Sequence, residues 1–238
     1  MEAYLDNSAT TRVDAQVQEL MKKLMDVDFG NPSSRHQKGV VAEGYIKEAR
    51  QKIAATLKVD PKEFIITSGG TESNNMALIG TALAAKRKGN HIITTAVEHP
   101  SVKATASFLE EQGFRITFLS VDSRGQISLE DLKEALTPDT ILVSIMYVNN
   151  EIGTIQPVEE AAKLVHATVP GAVFHVDAIQ AYGKVMIRPK QQGIDLLSVS
   201  SHKFHGPKGA GFLYCSSKVN LHPIIFGGGQ QSGMRSGT

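Results

Sequence analysis

The chain alternates between short apolar runs and longer amphipathic segments along most of its length. Short runs of this kind are typical of buried strands, and the spacing between them is that of helices with one apolar face. Seven strands are predicted, namely Phe64–Thr67, His91–Thr95, Arg115–Leu119, Thr140–Ile145, Ala172–Val176, Leu196–Val199 and Ala210–Tyr214. Five helices are predicted among them, namely Glu43–Leu57, Thr71–Lys88, Ser101–Gln112, Leu129–Leu136 and Val158–Val169.

This alternation predicts an α/β fold, in which a mostly parallel seven-stranded sheet carries helices on both faces. The last strand follows its predecessor after a short loop, which favours an antiparallel pairing at that point. The 25 basic and 24 acidic side chains give a net charge of +1, so no nucleic-acid or membrane partner is expected. No apolar run is long enough to span a bilayer and the start is not a signal peptide, so we expect a cytoplasmic protein.

One cysteine, Cys215, excludes an internal disulfide and a multi-cysteine metal site, and no metal is expected. Cys215 falls in the last predicted strand, where a cysteine behaves as a small apolar residue and is unreactive. We therefore do not expect it to act as a nucleophile.

The most informative polar segment is residues 200–209 (SSHKFHGPKG), directly after the predicted strand Leu196–Val199. In this position Lys203 can be partly desolvated, which favours its neutral, nucleophilic amine. A neutral amine can bond to an aldehyde, and Ser200 and His202 beside it can hold a phosphate. Together these groups suggest a site for pyridoxal phosphate (PLP), the alternative being a solvated loop lysine.

Asp177 follows another apolar run in the same way. A carboxylate against the PLP ring nitrogen keeps that nitrogen protonated, so that the ring can withdraw electrons. The carboxyl ends of neighbouring strands are where ligands bind in open α/β sheets. The alternative for Asp177 is the N-cap of a following helix, and we favour the cofactor role because of Lys203.

A third element is the glycine-rich turn at residues 68–75 (SGGTESNN), between the first predicted strand and a helical pattern. Glycines let the backbone approach an anion closely, and the start of the next helix offers free N–H groups. The spacing is neither that of a Walker loop nor that of the dinucleotide fingerprint. Many strand-to-helix turns look like this, so the turn supports a phosphate site only together with Lys203 and Asp177.

Further motifs occur in order along the chain, at residues 4–11 (YLDNSATT), 29–34 (FGNPSS), 67–72 (TSGGTE), 97–99 (VEH), 148–153 (VNNEIG), 175–180 (HVDAIQ), 200–203 (SSHK), 227–230 (GGGQ) and 235–238 (RSGT). With these motifs the chain resembles, from end to end, the cysteine desulfurases of the NifS/IscS type. These belong to the class V aminotransferase group of fold-type-I PLP enzymes. The resemblance implies the large domain of that fold.

The resemblance also implies roles for individual residues. Lys203 would hold the cofactor covalently and move the α-proton of the substrate, and Asp177 would pair with the ring nitrogen. His99 would stack on the ring and shuttle protons. The other implied cofactor contacts are Gln180 at the phenolic oxygen, Asn150 near the ring and the substrate carboxylate, Gly70, Thr71, Ser200 and His202 at the phosphate, and Thr238 at the phosphate of a partner subunit in a homodimer.

From the residues alone, each of these roles has an alternative. His99 can be a turn residue before Pro100. Asn150 can belong to a merely polar loop, Gln180 to a surface helix, and His202 can be a bonded loop histidine. The remaining histidines are interpreted as structural, namely His36, His91, His166, His175, His205 and His222.

Members of the family continue beyond the RSGT motif with most of a smaller domain, a substrate-binding arginine and a mobile loop that bears the catalytic cysteine. The resemblance therefore implies a lead-in at residues 1–34 and a PLP-binding large domain at residues 35–238, with the small domain largely missing. We expect the cofactor-binding part of an enzyme that converts L-cysteine to L-alanine and enzyme-bound persulfide sulfur, for iron-sulfur cluster or thio-cofactor assembly. On its own, this part is expected to be inactive.

Two alternatives remain for the function. One is a short PLP-binding paralogue with aminotransferase- or racemase-like chemistry, and the other is a non-catalytic dimerisation module. The partners expected for the favoured function are L-cysteine, a second copy of the chain and sulfur-acceptor or scaffold proteins.

Overall fold

A computed structural model describes residues 3–238. Its strands are β1 (Phe64–Thr67), β2 (His91–Thr95), β3 (Arg115–Leu119), β4 (Thr140–Met146), β5 (Val173–Asp177), β6 (Leu196–Ser200) and β7 (Gly211–Cys215). They form one sheet in the order β1-β7-β6-β5-β4-β2-β3. β7 runs antiparallel to both of its neighbours, whereas all other neighbouring strands run parallel. The predicted mostly parallel sheet and its antiparallel last strand are confirmed.

The helices are α1 (Ala15–Asp26), α2 (Gln37–Leu57), α3 (Gly70–Ala85), α4 (Pro100–Glu111), α5 (Leu129–Ala135), α6 (Val158–Thr168) and α7 (Pro189–Gln192). Side chains of α3 and α4 pack on one face of the sheet, and side chains of α5, α6 and the end of α2 pack on the other. Along β6, Leu196 packs with α3 and α4, whereas Leu197 packs on the opposite face with α5 and α6, because successive strand side chains point to opposite faces. Helices therefore cover both faces, as predicted.

The helix predictions were wrong in three places. α1 and α7 were not predicted, and α2 begins six residues before the predicted Glu43. α1 lies within the predicted lead-in. None of its residues is buried, so it does not pack into the core. α2 starts early because the His36 ring caps it by accepting a hydrogen bond from the amide of Gly39. Residues 1 and 2 of the predicted lead-in lie outside the described residues.

The topology brings six strand ends to one edge of the sheet. The strands β1 to β6 all point the same way, so the residues that follow them lie at that edge. Every predicted site residue except Thr238 lies at or just after one of these ends. Across residues 3–238, no helix combines the length and apolarity that crossing a membrane would require.

Candidate active site

A cavity of about 550 Å³ opens at this edge of the sheet. Nine of the ten predicted site residues line it, namely Gly70, Thr71, His99, Asn150, Asp177, Gln180, Ser200, His202 and Lys203. The tenth, Thr238, is exposed and lies by a separate hollow that is also lined by Arg50, Gln231 and Arg235. The predicted residues are therefore brought together within one chain, apart from the one expected to act across an interface.

Lys203 lies at the end of a short 3-10 turn that continues β6. Its Nζ donates hydrogen bonds to the backbone oxygens of Ser8, at 2.5 Å, and Ala9, at 2.8 Å. Burial, and then the nearby charge of Lys184, lowers the pKa of Lys203. A half-buried amine inside a cavity is not a solvated loop lysine, and its lowered pKa favours the neutral form that reacts with an aldehyde.

Asp177 is the last residue of β5 and is only 4% exposed. Its Oδ1 accepts the amide of Ile179 at 3.0 Å, and its Oδ2 accepts Nδ2 of Asn74 at 2.8 Å. Burial raises the pKa of Asp177, while these hydrogen bonds and the nearby His99 and Lys203 act in the opposite direction. Turns rather than a helix follow Asp177, so the helix N-cap alternative is wrong.

The turn before α3 forms an anion cradle, by which we mean Gly69, Gly70, Thr71 and Ser200. Gly69 has a φ of 147° and caps α3 without a side chain, so the first N–H groups of the helix have no side-chain partner at the cap. A Cβ on Gly211 would lie 2.7 Å from the Cα of Gly69, so this turn packs directly on β7. Free helix N–H groups beside a serine hydroxyl suit a phosphate.

His202 lines the cavity beside the anion cradle and also lines a neighbouring pocket with Gly70, Thr71 and Lys208. Its Nδ1 is 3.2 Å from the hydroxyl of Thr10. Burial lowers the pKa of His202, which favours a neutral ring that can bind through a hydrogen bond.

His99 caps α4 and also lines the cavity, so the turn role and the site role coexist. Its Nδ1 accepts the amide of Ser101 at 3.1 Å and is 2.8 Å from the Ser101 hydroxyl. The ring is therefore held at its Nδ1 side by the helix that it caps.

Gln180 is 8% exposed and lies in a turn, so its alternative as a surface helix residue is wrong. Its Nε2 donates to the backbone oxygen of Ser8 at 2.9 Å, and its Oε1 accepts Nζ of Lys184 at 3.1 Å. Asn150 follows β4, and its Nδ2 donates to Glu151 at 2.5 Å. Asn150 thus belongs to a polar loop that also forms part of the cavity wall.

Sequence reasoning missed three contributors to the site. The first is residues 6–9 of the lead-in, from which Asp6, Ser8 and Ala9 line the cavity. The other two are the buried polar residues Asn74 and Glu98, which lie behind the cavity wall. A signal existed for Asn74, because it falls one turn after Gly70 on the buried side of α3, where an apolar residue is expected.

Cys215 ends β7 beside Leu196, the first residue of β6, whereas Lys203 follows the last residue of β6. The thiol therefore lies at the opposite edge of the sheet from the cavity. Burial, and then the charges of Glu63 and Asp195, raises the pKa of Cys215 to about 12. Both observations agree with the prediction that this cysteine is a structural residue of the closing strand.

The other histidines contribute to the fold rather than to the cavity. His91 and His175 are fully buried and bonded to hydroxyl groups, whereas His36 caps α2. The rings of His166, His205 and His222 are bonded to backbone oxygens.

The site combines a lysine, a buried carboxylate and a helix start without a side-chain cap at one edge of the sheet. These features define an α/β protein with a site suited to an anionic, aldehyde-bearing cofactor. Residues 3–236 match the family model described as Aminotransferase class-V. The chain belongs to this family, whose members are PLP enzymes.

Comparison with individual relatives shows which members of this family the chain is similar to. The chain is 49% identical over 237 residues to the cysteine desulfurase IscS of Dictyoglomus turgidum, covering 100% of the chain and 60% of that relative. A solved structure described as a NifS-like protein matches with a TM-score of 0.98 at 44% identity. The match covers 100% of this chain and 65% of the NifS-like chain. A structure described as SspA in complex with cysteine has a TM-score of 0.95 at 41% identity, with coverages of 100% and 68%. The chain thus spans about three fifths of the length of the curated relatives it matches.

Proposed function

We propose that this chain carries the PLP site of a cysteine desulfurase, an enzyme that takes sulfur from L-cysteine and leaves L-alanine. The observation that carries the proposal is the shared cavity of Lys203, Asp177 and the anion cradle. The similarity to IscS and to a NifS-like structure supports the reaction. The similarity to SspA, solved in complex with cysteine, supports the substrate.

The residues present fit the cofactor at each of its polar ends. The anion cradle and His202 would hold the phosphate, and Asp177 would hold the protonated ring nitrogen. Gln180 would bind the phenolic oxygen and His99 would cover one face of the ring. The Lys203 amine would form the covalent attachment, for which it must release the backbone oxygens of Ser8 and Ala9.

PLP, when bound, supplies an electron-withdrawing ring that stabilises negative charge on the α-carbon of an amino acid. The protein must then supply a base for the proton on that carbon, and Lys203 is a lysine that lines the cavity and would take this role. Burial lowers its pKa, which favours the neutral amine that can accept a proton. Asn150 would orient the substrate carboxylate, and His99 would exchange protons at the other side.

The proposal extends to the organisation of the protein. Residues 35–238 would form the PLP-binding domain, with residues 1–34 as a lead-in, of which Asp6, Ser8 and Ala9 line one side of the cavity. Thr238 lies outside the cavity of its own chain, which favours a homodimer in which it reaches the phosphate of the partner. Sulfur-acceptor or scaffold proteins would take the persulfide sulfur, for iron-sulfur cluster or thio-cofactor assembly in the cytoplasm.

Cofactor attachment can be tested by mixing the purified chain with PLP, reducing with borohydride and locating the modified lysine by peptide mass spectrometry. We expect the label on Lys203 in the wild type, and no specific label in Lys203→Ala. Lys190→Ala is a suitable control, because this lysine pairs with Glu63 at the opposite edge of the sheet. It should be labelled on Lys203 like the wild type. Stoichiometric labelling of another lysine in Lys203→Ala would contradict the proposal.

A further inference from the structure

Asn74 is a buried polar residue that stability alone does not explain. It is 0% exposed in α3, and its Oδ1 has no hydrogen-bond partner. A buried carbonyl oxygen without a partner is costly, so an apolar side chain of similar size would suit this position better. Both N–H groups of Asn74 are used, one to Oδ2 of Asp177 at 2.8 Å and one to Oγ of Ser101 at 2.9 Å.

Ser101 connects Asn74 to His99, and the direction of each hydrogen bond in this connection can be assigned. The backbone N–H of Ser101 can only donate, so Nδ1 of His99 is an acceptor and the ring carries its proton on Nε2. The Ser101 hydroxyl accepts from Asn74 and therefore directs its own proton to the same Nδ1, 2.8 Å away. Asn74 thus orients the hydroxyl that in turn holds the His99 ring.

On its other side, Asn74 completes the support of Asp177. The two carboxylate oxygens each accept one hydrogen bond, Oδ1 from Ile179 and Oδ2 from Asn74, so the group is held against rotation. The titratable groups that face Asp177 are His99, Lys203 and the buried Glu98. Among the hydrogen bonds to Asp177, that of Asn74 is the one donated by a side chain.

α3 links this support to the anion cradle. Gly70 and Asn74 are four residues apart on one helix, so they share a face at a separation of about 6 Å along the axis. We propose that Asn74 is a positioning residue, which joins Asp177 and His99 into one hydrogen-bonded unit at a set distance from the anion cradle. The role in cofactor binding rests on the proposed function, but the hydrogen-bonded unit belongs to the chain without any ligand.

Asn74→Leu tests the unit, because leucine is similar in size to asparagine and donates no hydrogen bond. In the cofactor-free chain labelled with ¹³C-aspartate, the carboxyl signal of Asp177 is assigned with Asp177→Asn. We expect this carboxyl to titrate at a higher pH in Asn74→Leu than in the wild type. The control is Thr81→Val, which removes a buried hydroxyl without a partner from the same helix and should leave the titration unchanged. Equal titration in all three chains would overturn the proposal.

A second measurement needs no variant and so does not depend on folding. In the wild-type chain labelled with ¹⁵N-histidine, the ring nitrogens of His99 should show the proton on Nε2 at alkaline pH. A neutral ring protonated on Nδ1 would reverse the hydrogen bond to Ser101 and would also overturn the proposal.

PLP affinity separates this inference from the proposed function. We expect Asn74→Leu to bind PLP about tenfold more weakly than the wild type near neutral pH, with a larger loss as the pH falls. Thr81→Val should bind like the wild type. A wild-type chain that does not bind PLP would refute the proposed function, while the carboxyl titration would still decide the role of Asn74. Equal affinity of Asn74→Leu and the wild type at every pH would refute the positioning role alone.

Discussion

Glu98, which directly precedes His99 in the sequence, places a carboxyl group in the core beside the cavity. It is 2% exposed, and its Oε1 accepts the amide of Met146 and the hydroxyl of Thr95, both at 2.8 Å. Its Oε2 has no partner. Burial, and then the charge of Asp177, raises the pKa of Glu98 to about 8. The site therefore contains a carboxyl group that is neutral at neutral pH and keeps the end of β4 beside β2.

Glu98 should make the folded chain less stable as the pH rises. The carboxyl ionises near 4.5 in the unfolded chain and near 8 in the folded chain, so between these values the folded chain binds more protons. Its stabilising effect is complete below pH 4.5 and is lost as the pH rises through 8. Relative to the wild type, the unfolding free energy of Glu98→Gln should therefore increase by about 1.4 kcal/mol for each pH unit between pH 5 and 8. Urea unfolding at several pH values measures this, and parallel curves would contradict it.

Cys215 should react slowly with alkylating reagents while the chain is folded. Its pKa is raised from 9 to about 12, so the thiolate fraction at pH 8 is roughly a thousandfold smaller than in the unfolded chain. Iodoacetamide labelling with and without urea, followed by mass spectrometry, measures the difference. Cys215→Ala should also leave PLP attachment to Lys203 unchanged. Rapid labelling of the folded chain would show that the thiol is more accessible than its strand position allows.

At the scale of elements, the anion cradle depends on the contact between the turn before α3 and the start of β7. Gly211 has no side chain at the point where β7 passes both the carbonyl oxygen of Val199 and the Cα of Gly69. An added Cβ would lie 2.5 Å from the former and 2.7 Å from the latter. Since both obstacles are backbone atoms, the strands or the turn would have to move.

Gly211→Ala should therefore destabilise the chain by about 1–3 kcal/mol and weaken phosphate binding at the cradle. Gly44→Ala is the matched comparison, because Gly44 lies inside α2 and nothing stands within 4 Å of its added Cβ. There the better helix propensity of alanine should stabilise the chain by up to about 1 kcal/mol. Thermal and urea unfolding of the two variants should move in opposite directions, and equal shifts would refute the steric argument.

Across the whole molecule, the features predictable from sequence are those with a local signal. The seven strands were located because each is a short run rich in apolar or β-branched residues, largely buried except in the edge strand β3. The segment at residues 200–209, Asp177 and the turn at residues 68–75 were located because they follow strand ends that a parallel sheet brings together, whereas the resemblance supplied the other predicted site residues. The contacts of Ser8 and Ala9 with Lys203 join residues about 195 positions apart, and no local pattern specifies them. α1 was not predicted, although Val17, Leu20, Met21 and Leu24 recur in it at helical spacing. Glu98 was missed because only the packed fold shows that it faces Asp177, whereas the polar residue Asn74 on the buried side of α3 was a signal that the prediction overlooked.

Two buried histidines should limit the stability of the folded chain in acid. Burial lowers the pKa of His91 to about 4 and that of His175 to about 3, against 6.5 in the unfolded chain. Above pH 6.5 both are neutral in both states, and below it the unfolded chain binds more protons. Stability should then fall by about 1.4 kcal/mol per pH unit for each histidine, offset in part by Glu98 above pH 4.5.

His175→Gln tests this expectation, since His175 bridges the hydroxyls of Ser144 and Ser198 on neighbouring strands. The variant starts from a lower stability but should lose less of it between pH 6 and 4. Urea unfolding at each pH gives the two slopes, and identical slopes would show that His175 does not titrate as a buried neutral ring.

The pairing of β1 with β7 has a consequence for folding of the chain during its synthesis. Phe64 pairs with Tyr214, which a ribosome adds about 150 residues later, or roughly 8–30 s at ordinary rates of synthesis. β1 has its only strand partner within the described residues in β7, so a nascent chain that lacks β7 cannot yet dock the turn that opens α3. During that interval β1 is an unpaired apolar strand that a chaperone can bind. Docking of this turn must therefore wait until β7 has emerged, which makes the anion cradle one of the late features of the nascent chain to form.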